Sequence, residues 1–137
     1  MARFTSPLRT EEIIPDTLWI LLSPLSYESD VAHRHWTVPI GFKTDFSSVP
    51  RVPLAYLVAG GVGHAAAVIH DYLYQTHEGA NKKLADKVFL EALEVLDIAR
   101  WRRWAMYTAV RWAGMSSWDS GPDRLAGRVP YEPGKLT

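Results

Sequence analysis

Four polar residues are spaced to act as a group. His70 and Asp71 stand side by side, Tyr74 follows His70 by four positions, and Asp86 comes after a Glu78-Gly79 break. On a helix, residues at i and i+4 share a face, so His70 and Tyr74 are neighbours. Asp86 is followed by Phe89, Leu90 and Leu93, a spacing that puts its carboxylate on the apolar, inward side of a second helix. A carboxylate there needs a partner because burying an unpaired charge is costly, and His70 or Tyr74 is the natural one. A histidine oriented by a buried carboxylate is fixed in one tautomer and can act as general base on water. Asp71, about 100 degrees further around the helix, is placed to hold a divalent cation that polarises a carbonyl under attack. These are the parts of a hydrolase, with His70, Asp86 and Tyr74 in the catalytic group and Asp71 on a metal. The same residues also read as a satisfied buried network that only fixes the packing of two helices.

The elements that must position these residues follow from the hydrophobic period. Beyond Gly63 it is near 3.6, which predicts a first helix over residues 64–76, a second from an Asn81 cap to about Leu96, and a third from about Ile98 to Ala113. The short link from Gln75 to Asn81 makes the first two an antiparallel hairpin, with positions 70–74 facing positions near 86. Upstream, TLWILL at 17–22 and HWTVPI at 35–40 are rich in aromatic and β-branched residues and read as short antiparallel strands. Another strand is expected from Leu25 to Val31, with Glu28, Ser29 and Asp30 near a turn. DFSSVPRVP, residues 45–53, is too rich in Ser and Pro to continue a strand and predicts an ordered loop. From Ser120 the three prolines and three glycines predict an extended or flexible arm. The expected architecture is α+β, with a small antiparallel β-sheet in the N-terminal half packed on a three-helix C-terminal part. One domain spans 1–118 and an extended tail spans 119–137.

Composition bounds the chemistry. A chain of 137 residues fits one domain, and 47% hydrophobic against 22% charged residues is a globular balance. Fifteen basic residues match fifteen acidic ones, so no global field draws the chain to nucleic acid, and nucleic acid is not expected as a partner. The absence of cysteine removes disulfides, thiolate nucleophiles and Cys-based zinc sites. No run reads as a signal peptide or approaches the roughly 20 apolar residues of a membrane span, which predicts a chain made and kept in a cytoplasm.

The series GFKTDFSSVPR, AAAVIHDYLY, ADKVFLEAL and WRRWAMYTAVRWAG resembles a family of small phage and prophage proteins, the domain-of-unknown-function family 1353, over roughly residues 17–118. The resemblance implies a phage or prophage origin and brings no activity with it. More narrowly, the pair of helices carrying His-Asp-x-x-Tyr and Ala-Asp-x-x-Phe is similar to the active-site helices of phospholipases A2, the cysteine-free viral capsid enzymes above all. That resemblance implies that His70 activates water, Asp71 binds calcium, and Asp86 orients His70 with help from Tyr74. The glycine-rich calcium loop departs from the pattern, because Ala59-Gly60-Gly61-Val62-Gly63 comes too close before His70. The loop Thr44-Asp45-Phe46-Ser47-Ser48, through Asp45, its hydroxyls and its carbonyls, offers hard oxygen ligands for calcium or another divalent cation instead, or Asp45, Ser47 and Ser48 merely satisfy backbone donors in turns.

Other residues have plainer readings. His33 and His35 alternate on one predicted strand face but lack a third metal ligand. His64 and His77 mark the ends of the first helix, His64 as a solvent-facing residue and His77 as a complement to the helix dipole. Arg100, Arg102, Arg103 and Arg111 alternate with Trp101, Trp104 and Trp112, a mixture suited to lipid headgroups or nucleic acid, or to a core or subunit interface with an arginine rim. The expected function is a phage-encoded hydrolase acting on an ester or amide bond of the host envelope, whose lipid would be its partner. The competing class is a non-enzymatic tail or virion-associated protein that binds phage structural proteins through its C-terminal arm, and a modulator of a host protein is a third.

Overall fold

The computed structural model describes residues 1–14, 18–44, 63–113 and 118–119. Six short strands precede three helices: β1 (Arg3–Phe4), β2 (Thr10–Ile14), β3 (Leu18–Leu21), β4 (Leu25–Ser29), β5 (Arg34–Val38), β6 (Lys43–Thr44), α1 (His64–Thr76), α2 (Lys82–Val95) and α3 (Arg100–Ala113). The strands form two antiparallel sheets, ordered β1-β4-β5 and β2-β3-β6. The α+β architecture is the one expected, with two three-stranded sheets where one was foreseen.

Alternation explains the strands. Leu25, Tyr27 and Ser29 of β4 point inward, as do Trp36 and Val38 of β5, and register sets Tyr27 opposite Trp36. His33 falls in the turn before β5 with positive φ while His35 lies on the strand, so the expected shared face for these two does not exist. The β4–β5 turn is fastened by a helix: Glu91 of α2 accepts hydrogen bonds from Tyr27 Oη at 2.7 Å, Ser29 Oγ at 2.8 Å, and the backbone N–H groups of Asp30 at 3.1 Å and Val31 at 2.8 Å. Burial, then the Glu91 hydrogen bond, pushes the Tyr27 phenol up, so it remains a donor.

α1 is the central helix. Every residue from Ala66 to Gln75 is buried, so the helix has no solvent face and its polar residues must all find partners inside. α2 is amphipathic, burying Lys82, Ala85, Asp86, Val88, Phe89, Ala92 and Leu93, and α3 closes over it with Met106 and Val110. The apolar ones among these side chains join Leu21, Leu25, Tyr27, Trp36, Val38 and Phe42 of the sheet half in one core cluster.

The α1–α2 link sets the site's register. His77 ends α1 in the left-handed conformation with its N–H on Leu73 O, and Asn81 caps α2 by accepting from Leu84 N at 2.8 Å, as expected from sequence. Between them, Trp36 Nε1 donates to Glu78 O at 2.9 Å. Gly79 has φ 66, a left-handed conformation that calls for glycine, and the Arg34 guanidinium packs over it.

Candidate active site between the helices

Asp86 is the centre of the site. Its Oδ1 accepts from Tyr74 Oη at 2.5 Å and meets His70 Nε2 at 2.8 Å; its Oδ2 accepts from Lys82 Nζ at 2.9 Å and Arg111 Nη1 at 3.0 Å. One carboxylate thus ties α1, α2 and α3 together. Lys82 also donates to the carbonyls of Val110 at 3.0 Å and Arg111 at 3.2 Å, closing the C-terminal part of α3 onto the same point. His70, Tyr74 and Asp86 are fully buried. The His70 ring is packed against Tyr74 and Phe89, with centroids at 4.2 and 4.6 Å.

The charges follow from these contacts. Burial pushes the Asp86 carboxyl up, but the hydrogen bonds from His70, Tyr74 and Lys82 outweigh it and hold the group at about 2. Burial pulls His70 below the ordinary imidazole value against the opposing pull of Asp86, so the ring is neutral at pH 7. Burial and the Asp86 hydrogen bond push the Tyr74 phenol up, which keeps it a donor. An ionised carboxylate only accepts, so Nε2 of the neutral ring carries the proton and Nδ1 carries the lone pair.

Asp71 sits in different company. Its Oδ2 accepts from Thr44 Oγ1 at 2.7 Å and Gln75 Nε2 at 2.6 Å, and it is as deeply buried as Asp86. Among the described residues no group of three or more His, Asp or Glu side chains is gathered as a metal would require. Calcium takes six to eight oxygens, so Asp71 would be one carboxylate of a set completed elsewhere. Asp45, Ser47, Ser48, the glycine run at 59–62 and the tail from 120 onward lie outside the described residues.

The remaining histidines are accounted for. His64 is half-buried rather than solvent-facing and lines a cleft of about 460 Å³ with Phe4, Leu8, Trp19 and Leu96; His70 is not part of that lining. His77 caps α1 and stacks on Trp118 at 3.7 Å, while Trp118 meets Tyr74 edge-on at 5.2 Å. Sequence reasoning missed four partners. Lys82 and Gln75 were visible, standing at i−4 from Asp86 and i+4 from Asp71. Thr44 and Arg111 arrive from distant segments, 27 and 25 residues away, and carry no local signal.

The fold and site define an α+β protein with a buried, carboxylate-oriented histidine between two antiparallel helices. The family described as "Protein of unknown function (DUF1353)" matches residues 19–110, about two thirds of the chain, and the protein belongs to that family. The match takes in His70, Asp71, Tyr74, Lys82 and Asp86 and stops one residue short of Arg111. No curated protein matches the chain. No solved structure matches it either. Among the described residues, no helix is long and apolar enough to cross a membrane.

Proposed function

We propose that the protein is a phage- or prophage-encoded hydrolase in which His70 activates water against an ester or amide bond of the host envelope, with a phospholipid ester the first substrate to try. The observation that carries the reading is the shared Oδ1 of Asp86, which meets His70 Nε2 at 2.8 Å and Tyr74 Oη at 2.5 Å. This arrangement is what the likeness to phospholipase A2 helices requires of these residues. Nδ1 takes a proton from water as the water oxygen attacks the carbonyl carbon. Collapse of the tetrahedral intermediate breaks the bond to the leaving group, which takes the proton back from the imidazolium. Asp86 stays ionised throughout and steadies the imidazolium, and Tyr74 holds the carboxylate in line. Calcium or another divalent cation, when bound through Asp71 and Asp45, would polarise the carbonyl.

The test is fatty-acid release from phosphatidylglycerol vesicles by the purified full-length chain, with and without calcium. His70→Gln is expected to lower the rate by about 10²-fold or more, the usual contribution of a general base. A rate that is unchanged in that variant removes His70 from the reaction. A second reading is favoured by one observation: Asp86 collects donors from all three helices while His70 has no exposed surface, as a structural clamp in a virion component would. Absence of hydrolysis by the wild type on ester and amide envelope substrates, with calcium present, would select that reading.

A further inference from the structure

α3 carries large apolar side chains on two faces, one turned inward and one turned to solvent. It gives the core Met106 and Val110, and it turns outward Trp101 at 69% exposure, Trp104 at 51% and Trp112 at 86%. At 100 degrees per residue these three fall with Ala105 and Thr108 in one sector about 100 degrees wide, and all five are exposed. Large apolar side chains gathered on one exposed stripe mark an interaction surface.

Charge narrows the occupant. The helix sequence RWRRWAMYTAVRWA holds four arginines and no carboxylate, in a chain whose net charge is zero. Arg111 is spent on Asp86, and Arg103 donates to Ile98 O at 3.1 Å. Arg100 and Arg102 are left on the two flanks of the stripe, with the Arg102 guanidinium 5.7 Å from the centre of the Trp101 ring. The cleft beside Trp104 and Tyr107 includes Glu91, Glu94 and Lys87; Glu91 is spent on the four donors of the β4–β5 turn, and the charge of the exposed Glu94 is offset by that of the exposed Lys87. Two copies stacked through this stripe would bring arginine flanks together with no carboxylate on the helix to pair them.

From this geometry we infer that the outer face of α3 docks the protein on an anionic lipid surface. The tryptophans settle at the headgroup boundary and the flanking arginines reach the phosphates. The docking is independent of catalysis, because the stripe lies outside the buried His70 site.

The experiment is co-sedimentation of the full-length protein with vesicles of ether-linked phosphatidylglycerol or ether-linked phosphatidylcholine, which carry no acyl ester to cut. Binding to the anionic vesicles is expected to exceed binding to the zwitterionic ones about tenfold, and to weaken at about 1 M salt. The double substitution Trp101→Ala and Trp112→Ala should lower partitioning by about tenfold or more, with an unchanged circular dichroism spectrum because both residues are exposed. Failure to bind anionic vesicles, or equal binding by the double variant, overturns the inference. A wild-type dimer in sedimentation equilibrium that the same substitutions dissolve, without vesicle binding, overturns it in favour of a second copy on this face.

Discussion

The point around Asp86 and the outer stripe of α3 use the same kinds of side chain to opposite ends. In the interior, Lys82, Arg111, His70 and Tyr74 converge on one carboxylate, and each cation has an acceptor. On the outside, Arg100 and Arg102 border three tryptophans with no carboxylate on the helix between them. Removing a group from the first region leaves a buried charge behind, whereas removing one from the second leaves only water. Stability therefore concentrates in the first region and binding in the second.

The largest expected effect comes from breaking the interior point itself. Asp86→Ala strands Lys82 and His70 in the core and should destabilise the fold by about 3–5 kcal/mol in urea unfolding, the usual cost of leaving a buried charge unpaired. A loss below about 1 kcal/mol would mean that the cations relax to solvent and the comparison fails.

Acid should act in the same direction in two stages. The folded-state value of His70 lies below its unfolded one, so its contribution is intact above about pH 6.5 and is lost as the pH falls further. Asp86, held at about 2, adds a second loss between about pH 4 and pH 2. Thermal melts from pH 8 to pH 3 should show stability falling with acid, with the upper stage absent in His70→Gln.

Tyr74→Phe removes one donor from a carboxylate that keeps three, and should cost about 1–2 kcal/mol. Smallest is Trp112→Ala, expected to change stability by less than about 0.5 kcal/mol while weakening vesicle binding. A large loss of stability there would place Trp112 in the core and erase the contrast.

Much of the helical half was legible because its signals are local. The period of 3.6 gave α1 as His64–Thr76, Asn81 was readable as a cap, and the hairpin brought Asp86 to His70 and Tyr74. The sheet half was read less well. β1 and β6 are two residues each, too short to show alternation, and β2 carries two exposed glutamates in TEEII. Whether one sheet or two forms depends on which distant strands pair, and no local pattern records it. In sequence Arg111 reads as one of a set of outward arginines, for a headgroup, nucleic acid or an interface rim, yet it reaches Asp86 because α3 folds back over α2, a fact of tertiary packing.

The most direct measurement is a pH titration of His70 by nitrogen-15 NMR on histidine-labelled protein. The account predicts a neutral ring protonated on Nε2 at pH 7, with a titration midpoint below 6.5 that changes in Asp86→Asn. A ring protonated on Nδ1, or an imidazolium persisting above pH 7, would contradict it, because Nδ1 would then have no lone pair with which to activate water.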